Sequence, residues 1–403
     1  MPGRPTAQSS TGDGGYGSAP LDVRSAPAPR YGTASLADLL PAALAAHEVP
    51  GVPATSLRLA PADRVCVLLI DGMGWELLRS HPDEALFLTS LLGTSLNGTG
   101  QPLTAGFPAT TATSLASVGT GLPSGRHGLA GYTVAVPGEG TLMNQLRWQP
   151  WTDPCAWQPY PTVFQLAAAA GIESCQVSSP AFEQTPLTRI ALSGGTFLGR
   201  FTGEERMDLA ARRLANADRT LVYTYFSELD GMGHRYGVDS DAWRGQLMLA
   251  DRLAQRLAEQ LPPRSVLYVT ADHGMIDVAP EDRTDADDDW ELSAGVALLG
   301  GEARARHVYA VPGAAADVHA VWREVLGDRM WVATRQEAIE AGWFGSEVDE
   351  RVHGRIGDVV AVASADDIAV IASRREPGES QMVGLHGSLA PAEQFVPLLE
   401  VRP

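Results

Sequence analysis

Residues 65–74 read Val-Cys-Val-Leu-Leu-Ile-Asp-Gly-Met-Gly, an apolar run of strand length that ends in an acidic, glycine-rich turn. A strand that is apolar on both faces is typical of the centre of a parallel sheet covered by helices. The same order returns twice, because Thr220–Phe226 leads to Asp230 and Ser265–Thr270 leads to Asp272. Segments with helical apolar periodicity separate these strands. The alternation predicts an α/β fold with a mostly parallel central sheet and helices on both faces.

The order of the predicted elements also divides the chain. Residues 1–34 are rich in Gly, Ser, Pro and Ala, and we expect them to form a flexible tail that is not a signal peptide. Short strands and helices between 289 and 350 predict a small inserted α/β cap. The α/β core is then expected at 35–288 and 351–403, and it resumes with the apolar run at 357–362.

Charge and composition limit the partners that we expect. The chain has 403 residues and a formal charge of −18, and all 30 basic residues are arginine. The lack of lysine excludes lysine nucleophiles and Schiff bases, and the acidic balance argues against a nucleic-acid polymer as partner. Three scattered cysteines favour a reducing, cytoplasmic location over a disulfide framework. We expect no membrane span, and the oligomeric state is not predicted.

Carboxylate and imidazole side chains follow predicted strands at several places. They are Asp71, Asp230, His234, Asp272, His273 and His386. Because ligands bind at the carboxyl ends of parallel strands, we expect these side chains to converge. Mixed Asp and His ligands without thiolates suit zinc, with manganese as an alternative. The six ligands exceed the needs of one tetrahedral ion and suit two divalent ions about 3.5–4 Å apart. Asp71 alone could simply cap the next helix, so the prediction depends on the whole set.

A threonine-rich segment at 106–114 leads into a small, apolar helix that ends at Thr120-Gly121. The N-terminus of a helix attracts anions through its N–H groups and its dipole, and a hydroxyl on the first turn is placed to attack a bound group. The alternative interpretation is an ordinary threonine N-cap on a core helix. This segment is therefore a candidate phosphate-binding site with its own nucleophile.

These motifs together resemble the alkaline phosphatase superfamily, and within it the nucleotide pyrophosphatase/phosphodiesterase branch. The matching motifs occur in the family's order, and they are Leu69-Ile70-Asp71-Gly72, Thr120-Gly121-Leu122-Pro123 followed by His127-Gly128, Asp230-Gly-Met-Gly-His234, Thr270-Ala-Asp272-His273-Gly274-Met275 and Leu385-His386-Gly387. The resemblance implies an alkaline-phosphatase-like fold for the catalytic core. It also implies one ion bound by Asp71, Asp272 and His273, and a second ion bound by Asp230, His234 and His386.

The resemblance further implies a threonine nucleophile that also binds one ion. Counting back nine residues from Thr120 gives Thr111, and Thr110 is the alternative. The chain departs from the branch at two positions. Gly106 precedes Phe-Pro where the branch has a threonine, and Tyr132 stands near the place of an asparagine that the branch uses as a hydrogen-bond donor. A phenol can donate the same bond, so Tyr132 is the candidate donor, with Asn144 as the alternative.

The function implied by this resemblance is a two-metal-dependent hydrolase of phosphodiester or nucleotide pyrophosphate bonds in a small phosphorylated substrate. The reaction would pass through a phospho-threonine intermediate. Phosphonoacetate-hydrolase-like and phosphomonoesterase activities remain alternatives, although phosphonoacetate hydrolases bind their substrate partly through lysines. A non-catalytic metal- and phosphate-binding protein is an alternative of another class. Trp148, Trp151 and Trp157 could stack on a base, although tryptophan more often packs in a core.

Overall fold

Strands and helices alternate along the residues that this computed structural model describes, 19–148 and 152–403. The strands are β1 Arg64–Ile70, β2 Leu103–Thr104, β3 Thr133–Val136, β4 Thr141–Asn144, β5 Glu173–Ser178, β6 Thr196–Gly199, β7 Thr220–Phe226, β8 Ser265–Thr270, β9 Ile276–Asp277, β10 Arg283–Asp285, β11 Val296–Glu302, β12 Ala305–Ala310, β13 Met330–Thr334, β14 Val359–Ala363, β15 Ala369–Ile371, β16 Gly384–Leu385, β17 Phe395–Val396 and β18 Leu398–Val401.

The helices include several that open at a Ser, Thr or Asp cap, as their sequence predicts. They are α1 Leu36–Ala43, α2 Trp75–Ser80, α3 Leu86–Ser90, α4 Ser95–Gly98, α5 Thr111–Thr120, α6 Ser124–His127, α7 Pro154–Trp157, α8 Val163–Ala169, α9 Pro186–Ala191, α10 Gly203–Asn216, α11 Glu228–Tyr236, α12 Asp241–Ala258, α13 Trp290–Ser293, α14 Ala315–Leu326, α15 Arg335–Glu340, α16 Glu350–His353, α17 Pro377–Ser380 and α18 Pro391–Gln394. Within the described ranges, no helix combines the length and the apolar character that a membrane span requires.

The central sheet has six strands in the order β18-β8-β1-β7-β5-β6. Strand β1 runs parallel to both β7 and β8, β5 runs parallel to β6 and β7, and only β18 pairs in the antiparallel direction. Every residue of β7 is buried, so both faces of the sheet are covered, as the continuous apolar runs predict. The helix α10 packs against β1, β5 and β7. This arrangement confirms the mostly parallel α/β fold.

The register of the three central strands determines where the acidic residues lie. Ile70 pairs with Phe226, and Leu69 pairs with Thr270. The chain therefore leaves β1, β7 and β8 at the same edge of the sheet. The backbone N–H of Asp71 donates to the carbonyl of Phe226 at 2.9 Å, which continues the pairing by one residue. The residues that directly follow β1, β7 and β8 therefore lie close together at this edge.

A second sheet forms a separate subdomain, and its extent corrects the predicted boundaries. Its four strands are antiparallel, in the order β11-β12-β14-β13. The strand β14 was predicted to belong to the core, but it lies between β12 and β13. Strand β15 pairs with β10, which precedes the predicted boundary at 289. Burial explains the error, because β14 is apolar on both faces and such a run identifies a central strand without indicating its sheet.

The segment at 19–34 is packed against the body of the protein, which corrects part of the predicted tail. The N–H of Leu21 donates to Gly327 O at 2.6 Å, and the N–H of Arg30 donates to Thr104 Oγ1 at 2.8 Å. The Tyr31 hydroxyl accepts from the N–H of Phe107 at 3.0 Å. Long-range contacts therefore order a segment whose composition resembles a linker. Residues 1–18 of the predicted tail lie outside the described residues.

Two glycine-to-alanine substitutions in helices should have opposite effects on stability. A Cβ at Gly119 in α5 would lie 1.6 Å from Ala191 O, so Gly119→Ala must push α5 away from α9. Overpacking of this kind costs about 1–3 kcal/mol of unfolding free energy. Gly245 in α12 is exposed, and Gly245→Ala should stabilise the fold by about 0.5–1 kcal/mol. Urea unfolding of both variants tests this packing, and equal stabilities would contradict it.

Candidate two-metal active site

The six predicted ligands come together in two clusters at the edge of the central sheet. Their potential ligand atoms lie within 4.8 Å of one another in each cluster. One cluster contains Asp71, Asp272 and His273, and the other contains Asp230, His234 and His386. The division is the one that the sequence resemblance implies.

Local structure places the second cluster against the first. Asp230 and His234 lie one turn apart on α11, with His234 Nε2 3.4 Å from Asp230 Oδ1. His386 follows β16, and its ring stacks on that of His273 with centroids 3.7 Å apart and an interplanar angle of 17°. The ring of His234 lies 5.1 Å from that of His386. The stacked imidazoles therefore join two clusters that come from distant parts of the chain.

Backbone carbonyls orient all three histidines in the same way. In each ring Nδ1 lies within hydrogen-bond distance of a carbonyl oxygen, so the proton must be on Nδ1. The contacts are His234 to Gly384 O at 2.8 Å, His273 to Gly274 O at 2.9 Å and His386 to Ala109 O at 2.9 Å. In the neutral ring this leaves the lone pair of Nε2 for a metal ion, which is the usual arrangement of a metal-binding histidine.

Each of the three aspartates has one buried oxygen that accepts no hydrogen bond from the described residues. These atoms are Asp71 Oδ1, Asp230 Oδ1 and Asp272 Oδ2. In two of these aspartates the opposite oxygen is held, since Asp272 Oδ1 accepts from the N–H of Gly72 and of His273 at 3.1 Å, and Asp71 Oδ2 accepts from the Tyr225 hydroxyl. A buried carboxylate oxygen without a partner is costly, and a divalent cation satisfies it. The residues present therefore fit two metal ions.

The electrostatics of the clusters favour the same interpretation. Burial, together with the neighbouring Asp272 and Asp230, holds the pKa of Asp71 well above its usual value. Burial and the adjacent His273 and His234 hold the pKa of His386 well below its usual value, so this imidazole is neutral. A neutral imidazole at His386 is the form of histidine that binds a metal ion. Positive charge between the clusters would relieve the repulsion among the aspartates.

Thr111 lies beside these clusters on the first residue of α5. Its Oγ1 is 3.3 Å from His273 Nε2. Thr110 is the N-cap residue of α5, but its side chain makes no capping hydrogen bond within the described residues. Gly106 lies outside the cluster, and a Cβ there would be 2.9 Å from the side chain of Thr113. Thr111 therefore lies beside the candidate ligands, whereas the residue before Phe107-Pro108 does not.

The remaining predicted residues lie near Thr111 or in the core. Tyr132 lines a cavity beside Thr111, and its hydroxyl interacts with the Asn144 side chain. Its role as a hydrogen-bond donor to substrate stays a prediction. The rings of Trp148 and Trp157 are buried and pack edge to face with centroids 5.9 Å apart, so they belong to the core. Trp151 lies outside the described residues.

Two cavities of different character meet at Thr111. The apolar cavity, of about 190 Å³, reaches Asp71 and Asp230 and is lined by Leu115, Phe182, Leu187, Leu192, Phe197 and Tyr225. The acidic cavity, of about 250 Å³, contains one arginine and is lined by Tyr132, Arg147, His234, Glu302, Glu379 and His386. A tetrahedral group at Thr111 could therefore extend one substituent into each cavity.

Comparison with known protein families identifies the class to which this site belongs. The family described as type I phosphodiesterase/nucleotide pyrophosphatase matches residues 65–389. The chain belongs to this family. The membership confirms the resemblance that the motifs indicated, and the matched range includes all six candidate ligands and Thr111.

Solved structures support the fold of this phosphodiesterase family member. Murine ectonucleotide pyrophosphatase/phosphodiesterase 5 has a TM-score of 0.66 at 19% identity, covering 84% of this chain and 88% of that one. An inactive threonine-to-alanine variant of the murine protein, in complex with AMP, has a TM-score of 0.65 at 19% identity with the same coverage. The human protein has a TM-score of 0.63 at 18% identity, again covering 84% and 88% of the two chains. A comparison with curated proteins found no match.

Two residues beside the phosphodiesterase site were missed by the sequence reasoning. Tyr225 donates a hydrogen bond to Asp71. The sequence offered a signal for it, since Tyr225 lies near the end of a predicted strand, β7, which pairs with β1. Glu302 lines the acidic cavity from β11, in the second subdomain. No spacing in the sequence indicates Glu302, because its approach to Thr111 depends on how the two subdomains pack.

Removal of single ligands should reduce metal content one ion at a time. We expect Asp272→Asn and His386→Gln each to lower the zinc content of the purified protein from about two ions to about one, because each changes a different cluster. His353→Gln, outside both clusters, is the matched control and should keep full occupancy. The measurement is elemental analysis after dialysis against zinc. Unchanged metal content in both ligand variants would contradict the proposed coordination.

Proposed function

We propose that this protein is a two-metal-dependent hydrolase of phosphodiester or nucleotide pyrophosphate bonds, with Thr111 as its nucleophile. The observation that carries the proposal is the position of Thr111 Oγ1, 3.3 Å from His273 Nε2 at the junction of two ligand clusters. Family membership supports the class of reaction, and the inactive threonine-to-alanine variant of the murine relative supports a threonine in this role. Zinc is the favoured ion because histidines contribute half of the ligands.

The reaction would proceed by in-line displacement at phosphorus. When bound, the two cations lower the pKa of a hydroxyl and offset the charge on the leaving oxygen. Thr111 Oγ1 would lose its proton to solvent and form a bond to phosphorus while the bond to the leaving oxygen breaks on the opposite side, and the leaving oxygen would take up a proton from solvent. Water would then hydrolyse the phospho-threonine, which for a diester still carries the second substituent on phosphorus, and so release the monoester and restore the Thr111 hydroxyl. The N–H groups at the start of α5 face the same region and stabilise the negative charge of the phosphoryl oxygens.

The two cavities support a substrate with two different substituents on phosphorus. The apolar cavity offers the side chains of Phe182 and Phe197, which suit an aromatic or aliphatic group next to the phosphoryl group. The AMP complex of the murine relative supports a nucleotide as such a substrate. The acidic cavity would receive the other substituent. A small phosphorylated molecule fits these volumes. The formal charge of −18 disfavours binding of a nucleic-acid polymer, which is a polyanion.

Esters of different classes should be hydrolysed at very different rates. We expect the zinc-loaded protein to prefer bis-p-nitrophenyl phosphate and p-nitrophenyl thymidine 5′-monophosphate over p-nitrophenyl phosphate, because a monoester leaves one cavity empty. The measurement is kcat/KM for each ester and for phosphonoacetate, with and without chelator. Preference for phosphonoacetate or for the monoester would favour the alternative activities. Turnover that survives complete removal of metal would contradict the two-metal mechanism, and no turnover of any ester would favour a binding protein.

Substitution of the two adjacent threonines should separate the nucleophile from its neighbour. We expect Thr111→Ala to lower kcat for a diester about 10³-fold or more, because it removes the attacking oxygen, whereas Thr111→Ser keeps an oxygen and part of the activity. Thr110→Ala is the matched control and should lower kcat about 10-fold or less. Rapid acid quenching should trap a phosphoryl group on Thr111. The reverse pattern for the two positions would identify Thr110 as the nucleophile.

A further inference from the structure

We propose that Glu302 is a catalytic residue that donates a hydrogen bond from Oε2 to a non-bridging oxygen of the substrate's phosphoryl group. The inference rests on the proposed hydrolysis of phosphate esters at Thr111. It assigns a role to a side chain of the second subdomain. Glu302 is not one of the six candidate ligands and is not the proposed nucleophile. The argument depends on how this carboxyl group is held and where its free oxygen lies.

The carboxyl of Glu302 is fixed in position between two loops of the site. The residue ends β11 and is only 5% exposed. Its Oε1 accepts a hydrogen bond from the N–H of Tyr132 at 2.5 Å. Glycines at both sides make room for it, since a Cβ on Gly387 would lie 3.0 Å from Glu302 Cβ and a Cβ on Gly131 would lie 3.7 Å from Oε2. The side chain therefore lies between the loop before Tyr132 and the loop that follows His386.

The second oxygen of this carboxyl is buried without a partner in the described part of the chain. Oε2 makes no hydrogen bond there, although the Thr110 hydroxyl lies near enough to the carboxyl to lower its pKa, and Glu302 lines the acidic cavity together with Thr110 and Thr111. An unsatisfied buried polar atom costs about 1–3 kcal/mol. A fixed carboxyl with one unsatisfied oxygen beside the nucleophile is arranged to bind a group that enters the cavity.

The chemistry of a phosphate ester determines the form in which Glu302 can bind it. An ionised carboxylate and a phosphoryl oxygen are both acceptors only, so a direct hydrogen bond between them requires a proton on the carboxyl group. Glu302 therefore carries the proton and donates, and it keeps that proton throughout the reaction. A protonated carboxyl that donates to developing negative charge is a known form of transition-state stabilisation.

The surroundings of Glu302 favour this protonated form. Burial raises the pKa of Glu302 to about 8, and the Tyr132 N–H and the Thr110 hydroxyl oppose that shift. Among the charged groups around it, Glu379 raises the pKa and Arg306 lowers it, and Arg306 is itself paired with Glu379. Asp230, His234, His386 and Arg147 line the same cavity. Glu302 thus donates the hydrogen bond that the resemblance assigned to an asparagine near Tyr132, although Glu302 lies far from that position in sequence.

Substitutions that keep or remove a donor test this role. Glu302→Gln retains an N–H donor and should keep kcat for bis-p-nitrophenyl phosphate within about 10-fold of the wild type. Glu302→Ala removes the donor and should lower kcat about 10²-fold with little change in KM. Glu302→Met, which has no donor but similar length, replaces the alanine variant if that variant does not fold. Glu376→Gln is the matched control, because Glu376 lies near Tyr132 but does not line the cavity. This variant should leave kcat unchanged.

Calorimetric titration with inorganic phosphate gives a second readout on the zinc-loaded proteins. We expect the affinity to fall about 10-fold or more in Glu302→Ala and to change little in Glu302→Gln, since a hydrogen bond to a charged group is lost only in the first. Equal effects of the two variants, or wild-type values in both, would overturn the role of Glu302. If the wild type hydrolyses no ester, the proposed function fails while the phosphate titration still tests Glu302.

Discussion

The burial of carboxylate oxygens from three aspartates at one edge of a sheet is the constraint on which this structure depends. Asp71, Asp230 and Asp272 each keep an oxygen without a hydrogen-bond partner in the described residues, and burial, followed by repulsion from Asp272 and Asp230, raises the pKa of Asp71. Such an arrangement is unfavourable for a protein alone, because a buried unpaired charge costs several kcal/mol. Under the proposed metal binding, cations would recover this energy, so the same feature that weakens the apoprotein would create affinity for metal.

The rest of the fold supplies the geometry that keeps these groups close. Parallel pairing of β1 with β7 and β8 ends the three strands at one edge. Carbonyls of Ala109, Gly274 and Gly384 orient the histidines, and Ala109 and Gly384 lie close in sequence to Thr111 and His386. The three histidines are thus oriented by backbone atoms close to the ligands, and no further side chain is needed for their orientation. This local orientation also explains why short segments around each ligand are enough to identify the family.

Much of the core and of the ligand set could be predicted from the sequence. The strand at 65–70, the strands before Asp230 and Asp272, and the helix after Thr110 all follow from local apolar patterns and from capping or breaking residues. Other features were mispredicted or missed for one shared physical reason. The strand β14 joins the second sheet, the segment at 19–34 packs against the body, and Glu302 reaches the acidic cavity. All three depend on contacts between residues far apart in sequence, which local periodicity does not report.

The sequence by itself determined the fold class, the family and the identity of the candidate ligands. It did so because strand periodicity is local and because each ligand lies within a short motif at the end of an element. The tertiary structure alone decided how closely the ligand atoms of each cluster approach, that Thr111 Oγ1 lies 3.3 Å from His273 Nε2, and which second-subdomain residue lines the cavity beside Thr111. These outcomes depend on distances of a few ångströms between separate elements, and only the packing of the whole chain sets such distances.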